Sequence, residues 1–214
     1  MKLYRETHKS EAQVVLFING QFPKNIPILD DFGKVYCTDG AYAKLLDHKI
    51  QPDLVSGDFD SLNVSEIKPE TKIIETPDQN ATDFEKILKI IIEEGFKSVA
   101  VYGCSGLEQD HFLGNLNSML KHKDEIDIRC FDDFGFYFFA ENSVEIIGFK
   151  DEIISLFPFP EAKNIYSEGV KYPLINEDLS ITTRIGTRNT ITENTAQISY
   201  ESGSLLLFVQ SINE

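Results

Sequence analysis

The clearest candidate for chemistry is a pair of aspartates in the segment Gly-Asp-Phe-Asp-Ser at 57–61. Residues two apart in an extended backbone point to the same side, so Asp58 and Asp60 are expected to face one ion together. Their carboxylate oxygens suit a hard cation such as Mg²⁺, which usually takes one or two carboxylates and keeps several waters. A turn rich in aspartate is the alternative, because Gly, Asp and Ser are common turn residues.

More acidic residues stand at the ends of predicted elements. Asp39 precedes Gly40 after a strand pattern, while Asp78 and Asp83 flank the start of a predicted helix. Helix capping and the helix dipole give each acid a structural alternative. Their places at successive strand and helix ends favour a metal and phosphate site, because an α/β topology brings such ends to one edge of the sheet.

A second polar group follows the strand predicted at 98–102. The sequence Gly-Cys-Ser-Gly at 103–106 leads towards a helix that begins near Asp110 and His111. Backbone donors at such a place hold phosphate in other proteins, but the spacing is neither that of the P-loop nor that of the dinucleotide motif. For His111, a capping or packing role is equally open. The candidate binding residues in this half of the chain are Asp39, Gly40, Asp78, Thr82, Ser105, Asp110 and His111.

The apolar pattern of the first half predicts the scaffold that positions these residues. Apolar runs typical of strands occur at 14–18, 34–38, 54–57, 98–102 and 126–131. Helical spacing occurs at 41–46, 83–95 and 110–121. The second helix begins with the capping-box spacing of Thr82 and Glu85, and Gly95 is its predicted stop. Strands that alternate with helices predict a mostly parallel sheet covered on both faces.

The pattern changes after about residue 135. Short apolar runs follow at 135–140, 143–147, 152–157, 196–200 and 205–210, and residues 201–204 have the composition of a hairpin turn. Regular strand spacing without helical periodicity predicts a small β-sandwich or barrel. We therefore expect an α/β protein with an N-terminal, mostly parallel α/β nucleotide-binding domain at 1–134, followed by a C-terminal all-β sandwich at 135–214.

Charge and composition exclude several classes of protein. The 214 residues carry a formal net charge of −15, which argues against a nucleic-acid or anionic-membrane partner because both need a basic surface. The 3 cysteines form no CxxC pair, so neither a disulfide framework nor a zinc site is predicted. The first residues do not resemble a signal peptide and the apolar runs are of strand length, so we expect a cytoplasmic protein.

Four motifs resemble, in order and spacing, those of the thiamine pyrophosphokinase family, and they lie at 38–41, 52–61, 77–85 and 106–111. In the second half, residues 168–174, 188–189 and 203–207 also look like segments of that family. The resemblance implies an enzyme that transfers the pyrophosphoryl group of ATP to the hydroxyl of thiamine and releases AMP. It further implies magnesium as the cofactor and a homodimer with thiamine bound where subunits meet.

The resemblance also implies roles for the acidic residues. The acids that would engage magnesium and the triphosphate, and so act as catalytic residues, are Asp58, Asp60 and Asp83. Asp39 would line the same pocket, and Asp110 would help to position the substrate.

Two residues in the second half are implied to contact thiamine. Tyr172 would stack on a thiamine ring, with Asn189 beside it. A ring face attracts positive charge and thiamine carries a thiazolium, so the stacking is physically reasonable. A place in the core of the sandwich is the alternative for Tyr172.

The chain departs from the family pattern at four positions. Glu108 stands where the family usually has arginine, Asn80 replaces an aspartate, Ala43 an asparagine and Arg188 a small hydroxyl residue. Glutamate repels phosphate, so either another cation such as Lys44 or Arg188 takes over, or the contact lies elsewhere. Two alternatives stay open, namely a pyrophosphokinase for another alcohol such as a hydroxymethyl pterin, and a non-catalytic thiamine or nucleotide sensor.

Overall fold

The structure is a computed structural model that describes residues 1–6, 12–26, 29, 32–60 and 62–211. Its helices and strands make the chain a mixed α/β protein in which strands predominate, which confirms the predicted class. The chain divides into two compact units. The α/β unit is Ser10–Asp133, and the β unit combines Met1–Lys9 with Phe134–Glu214.

Among the described residues, α-helices lie between strands in the α/β unit alone. The strands are β1 (Lys2–Tyr4), β2 (Val14–Phe17), β3 (Lys34–Thr38), β4 (Leu54–Gly57), β5 (Lys72–Glu75), β6 (Ser98–Tyr102), β7 (Asp127–Asp132), β8 (Gly135–Phe139), β9 (Ser143–Ile147), β10 (Ile153–Glu168), β11 (Ile175–Ser180), β12 (Gly186–Thr190), β13 (Thr195–Ser199) and β14 (Ser202–Gln210). The helices are α1 (Asp39–Asp47), α2 (Asp83–Glu93) and α3 (Gln109–His122). In the part of the chain that the structure describes, no helix is long and apolar enough to cross a membrane.

The sheet of the α/β unit is parallel between all its paired neighbours. Its strand order is β5-β4-β3-β2-β6-β7, and β2 at its centre is buried throughout. The sequence prediction missed β5, whose lysine and glutamate ends are exposed. Such charges are typical of an edge strand, where they discourage pairing with another chain.

Helix α2 illustrates how the sequence sets an element. Phe84, Ile87 and Ile91 bury one stripe of it, and Gly95 follows its end with a φ of 90°. Thr82 caps the start, since its hydroxyl accepts the Glu85 N–H at 3.1 Å. The rest of the predicted capping box is different, because the Glu85 carboxylate pairs with lysines of α2 and α3.

We expect Thr82→Ala to lower the free energy of unfolding by about 1 kcal/mol, because the Glu85 N–H loses its acceptor. Urea denaturation followed by circular dichroism measures this change. Thr82→Ser is the matched control, since it keeps the hydroxyl and should retain most of the wild-type stability. Equal losses in both variants would contradict the capping role.

The β unit is organised around β10, a strand of 16 residues. Its first part pairs with β12 and β14, and its last part pairs with β11 and β13. Strand β13 also pairs with β9, and β14 with β8. The predicted hairpin at 201–204 is therefore wrong, because β13 and β14 each pair with β10 and not with each other. Both strands are antiparallel to β10, so the chain continues along β10 from β13 into β14 in the same direction, and it does not reverse at 201–204.

The first strand of the chain belongs to the β unit. Strand β1 pairs in parallel with β9, with Leu3 opposite Ile146, and both side chains are fully buried. The sequence had placed these residues within the domain expected at 1–134. Three residues carry too little pattern to indicate a partner so distant in sequence.

Candidate active site

A pocket of about 500 Å³ lies within the α/β unit, at the C-terminal ends of β2, β3, β4 and β6. The starts of all three helices contribute acids to its lining, namely Asp39 from α1, Asp83 from α2 and Asp110 from α3. Ligands of open α/β sheets bind at this edge, and helix N-termini attract anions. The structure therefore brings together the strand and helix ends that the sequence singled out.

Two loops lock together at one side of this pocket. The N–H of Gly20 donates to the Gly103 carbonyl oxygen at 2.9 Å, and the N–H of Gln21 donates to that of Ser105 at 2.9 Å. A Cβ on Gly20 would lie 2.0 Å from the Gly103 oxygen, so only glycine allows this approach. The glycine-rich loop after β6 is thus fixed by the loop after β2.

Asp39 is a buried acid at the start of α1, only 7% exposed. Its two oxygens accept the N–H groups of Gly40 and Phe59, at 2.7 and 3.0 Å. Burial raises the pKa of this carboxyl, those two hydrogen bonds lower it, and the charges of Asp83 and Asp58 raise it again. The charges of Asp58 and Asp83 thus reach the Asp39 carboxyl, and a bound cation would offset them.

Gly57 makes room for the Asp39 side chain. A Cβ on Gly57 would lie 2.2 Å from Cγ of Asp39, so a larger residue would displace the carboxylate. The composition of the segment at 57–61 indicated a turn, but not that its glycine packs against Asp39 at the start of α1.

The two aspartates of that segment have different surroundings. Asp58 lines the pocket, where its Oδ2 accepts Gln79 Nε2 at 3.1 Å. That hydrogen bond is the main cause of the lowered pKa of Asp58. Asp60 is exposed and is not part of the lining, and its backbone N–H donates to Asp58 Oδ1 at 3.3 Å. The intervening Phe59 has a φ of 58°, so the backbone is not extended as the sequence argument assumed.

Asp83 begins α2 and pairs with a lysine one turn later. Its Oδ1 accepts the Lys86 ammonium at 3.0 Å, and Lys86 also donates to the Thr76 carbonyl oxygen at 2.8 Å. Asp83 is 43% exposed and Lys86 only 8%. Both line the pocket, so its wall carries a buried cation beside the acids.

The start of α3 forms another part of the lining. Glu108, Asp110 and His111 all line the pocket, and His111 Nε2 lies 3.6 Å from a Glu108 oxygen. Asp110 Oδ1 accepts the His111 N–H at 2.9 Å. Glu108 precedes the helix without capping it through its side chain. The sequence prediction of a polar group here matches this placement.

The other candidates of the α/β unit divide between lining and turn positions. Gly40 and Thr82 line the pocket. Asp78 does not, since its carboxylate accepts the backbone and side-chain N–H groups of Asn80, at 2.9 and 2.7 Å, in a turn of its own. Ser105 is also outside the lining, and its hydroxyl lies 3.5 Å from an Asp132 oxygen.

The donor set of the pocket fits a magnesium ion. The described residues contain no group of three or more His, Cys, Asp or Glu side chains arranged to hold a metal. Asp39, Asp58 and Asp83 nevertheless offer carboxylate oxygens. The charges of Asp58 and Asp83 raise the pKa of Asp39. Mg²⁺ suits such a site, because it binds through one or two carboxylates and completes its shell with water and substrate phosphates.

Tyr172 and Asn189 lie in the β unit, where both line a pocket of about 180 Å³. The Asn189 side chain accepts the Tyr172 N–H at 3.0 Å and donates to its carbonyl oxygen at 2.7 Å. Tyr172 is 63% exposed, and Lys171 Nζ lies 5.3 Å from the centre of its ring. The pair thus forms one locked element with an accessible ring, so Tyr172 is not a core residue.

Sequence reasoning missed several polar residues of the pocket. Asn19 lies in a loop without a motif, and Gln79 falls within the motif at 77–85 but was given no role there. Asn115 donates to the Cys104 carbonyl oxygen at 2.9 Å. Of these pocket residues, Lys86 alone could have been found from the sequence. The helix dipole disfavours a lysine near the start of a helix, so a lysine three residues after Asp83 suggests a role other than helix stability. Lys44, named as a replacement cation, instead donates to oxygens of Asn19 and of Gly20.

Two family models match the chain. The catalytic domain of thiamin pyrophosphokinase matches residues 28–130, and its vitamin B1 binding domain matches residues 142–205. Together they cover more than half of the chain.

Individual relatives agree with this result. "Thiamin pyrophosphokinase 1" of Caenorhabditis elegans is 26% identical over 186 residues, which are 80% of this chain and 76% of the relative. "Thiamine pyrophosphokinase" of Bacillus subtilis (strain 168) is 28% identical over 180 residues, or 79% and 83% of the two chains. The crystal structure of yeast thiamin pyrophosphokinase has a TM-score of 0.82, 17% identity, and coverage of 98% of this chain and 90% of its own. That structure supports the fold.

Proposed function

The chain belongs to the thiamin pyrophosphokinase family, and we propose that the pocket of its α/β unit is where ATP gives its pyrophosphoryl group to thiamine. A member of this family is a thiamine diphosphokinase, an enzyme whose substrates are ATP and thiamine and whose products are thiamine pyrophosphate and AMP. The observation that carries the assignment to this pocket is the convergence of Asp39, Asp58 and Asp83 at the starts of two helices and the end of a strand.

The acids of the pocket would hold magnesium against the phosphates. Asp58 and Asp83 have the most suitable carboxylates, because they are accessible to a ligand, while Asp39 already accepts two backbone N–H groups. Asp60, the second acid of the segment at 57–61, would also engage the magnesium. Bound magnesium supplies charge neutralisation on the phosphate oxygens, which phosphoryl transfer requires.

The protein's own contribution to the reaction is orientation. In the transfer, the thiamine hydroxyl oxygen forms a bond to the β-phosphorus, the bond from that phosphorus to the α,β-bridging oxygen breaks, AMP leaves with the electron pair, and the hydroxyl proton is released. Gln79 holds Asp58, and backbone N–H groups hold Asp39, so both carboxylates are positioned before substrate arrives. Asp110 and His111 lie at the start of α3, where they would contact the substrate.

The β unit would bind thiamine. Its family match is to a vitamin B1 binding domain, and Tyr172 offers an exposed ring that Asn189 holds in place. The exposed ring face suits stacking on an aromatic cation. We further propose that this unit is a β-sandwich, that the two domains follow the limits 1–134 and 135–214 apart from β1, and that the protein is a cytoplasmic homodimer. These proposals rest on the sequence pattern and the family resemblance.

The test of function is incubation of the purified protein with ATP, magnesium and thiamine, with both products separated by chromatography. We expect AMP and thiamine pyrophosphate in equal amounts, and no product once a chelator removes the metal. Product that persists after complete chelation would contradict the magnesium assignment.

The same experiment addresses the two alternatives, which the family matches do not favour. A pterin enzyme would release AMP with a hydroxymethyl pterin and not with thiamine. A sensor would bind thiamine or ATP without forming AMP.

A further inference from the structure

The pocket of the α/β unit contains a buried lysine with a donor to spare. Lys86 is 8% exposed, and its ammonium donates to the Thr76 carbonyl oxygen and to Asp83 Oδ1. An ammonium has three N–H donors, so one is left without a partner among the described residues. Because Lys86 lines the pocket, that donor is available to a bound ligand.

The position of Lys86 is unfavourable for a purely structural cation. It follows the first three residues of α2, where the helix dipole disfavours positive charge. Burial disfavours the charge as well, unless it is paired and hydrogen-bonded. Asp83 gives one such pairing, but it is itself 43% exposed and could be solvated without a lysine. The cost of burying Lys86 therefore points to a ligand.

The charge of the lining identifies the chemistry of that ligand. The carboxylates that line the pocket are Asp39, Asp58, Asp83, Glu108 and Asp110. Among the described lining residues, Lys86 is the one lysine or arginine. Any polyphosphate that enters is repelled by these acids, so it needs magnesium on one side and a protein cation on another.

We propose that the third N–H of Lys86 donates to a non-bridging oxygen of the pyrophosphoryl group of ATP, while Thr76 and Asp83 hold the ammonium in place. This assignment rests on the proposed function, since it takes ATP as the ligand. A lysine suits the task, because its compact charge can follow a phosphate that moves during transfer.

Binding measurements separate a phosphate contact from a structural role. Calorimetry with magnesium present would compare α,β-methylene ATP, inorganic pyrophosphate and AMP on the full chain. The methylene analogue resists cleavage at the bond that pyrophosphoryl transfer breaks. For Lys86→Met we expect affinity for the analogue and for pyrophosphate to fall about 10- to 100-fold, with AMP affinity unchanged.

Lys89→Met is the matched control. Lys89 lies almost one turn further along α2, pairs with Glu85 at 3.0 Å and is not part of the pocket lining. This variant should bind all three ligands as the wild type does. Lys86→Arg should recover part of the affinity lost in Lys86→Met, because it restores the charge.

Two results would overturn the assignment. Unchanged pyrophosphate affinity in Lys86→Met would remove the contact, and an equal loss of AMP affinity would show that Lys86 only maintains the shape of the pocket. Thermal unfolding identifies variants that do not fold, in which case Lys86→Gln and Lys86→Arg provide the comparison. A wild-type protein that binds pyrophosphate through Lys86 but yields no thiamine pyrophosphate would refute the proposed function and leave this contact standing.

Discussion

Asp58→Asn is expected to lower kcat at least about 100-fold while leaving the fold intact. The change removes a negative charge from the pocket lining. It also replaces one carboxylate oxygen by an amide NH2 group, which cannot coordinate a cation. The side chain is not buried, and its partners are Gln79 and a neighbouring backbone N–H, so little stability should be lost. Steady-state kinetics at saturating ATP and magnesium, with a thermal unfolding curve, measure both effects.

The comparison for this variant is Asp124→Asn. Asp124 is exposed and paired with Lys123, and it lies outside the pocket. Asp124→Asn makes the same chemical change outside the pocket, so the kcat of this variant should equal that of the wild type. A wild-type rate in Asp58→Asn would remove Asp58 from the metal site.

Gly20→Ala is expected to lower the free energy of unfolding by about 2–3 kcal/mol and to impair nucleotide binding. The added Cβ would lie 2.0 Å from the Gly103 carbonyl oxygen and 2.7 Å from that of Ser105. Both atoms are backbone, so the two loops must separate and lose their hydrogen bonds. Urea denaturation gives the stability, and calorimetry with α,β-methylene ATP gives the affinity.

Gly114→Ala is the matched glycine substitution. Gly114 lies inside α3, and the nearest atom to its added Cβ is 3.8 Å away, in the Thr82 side chain. Alanine favours a helix by up to about 1 kcal/mol over glycine, so this variant should be as stable as the wild type or more so. If Gly20→Ala were equally stable, the loops would not be locked as described.

The elements predicted most accurately from sequence are those with a strong apolar period. The strands predicted at 34–38, 98–102 and 143–147 coincide with β3, β6 and β9, and the helix predicted from Asp83 begins there. In β6 and β9 every buried side chain is one that the sequence alone shows to be apolar, whereas α2 also buries Glu85 and Lys86. Because these elements could be located, the acids at their ends could be assigned to one edge of the parallel sheet.

What the sequence could not supply depends on contacts between distant segments. Strand β11 buries only Leu179 and β12 buries none of its residues, so neither strand has an apolar period that the sequence could reveal. Phe59 has a left-handed backbone conformation, which gives Asp58 and Asp60 different surroundings. A positive φ is uncommon for phenylalanine, so the sequence could not predict it. The spare donor of Lys86 likewise depends on Thr76, which lies in a different segment of the chain.

The pairing of β1 with β9 sets an order of events during synthesis. The ribosome makes β1 before the α/β unit, yet the partner strand β9 is made only after all strands and helices of that unit. The α/β unit is continuous in sequence and can fold before β1 has its partner. The β unit combines two segments on either side of the α/β unit, so its formation has to bring together residues far apart in sequence. Contacts so distant in sequence form slowly. Completion of the β unit should therefore be the late step by which a newly made chain becomes a working enzyme.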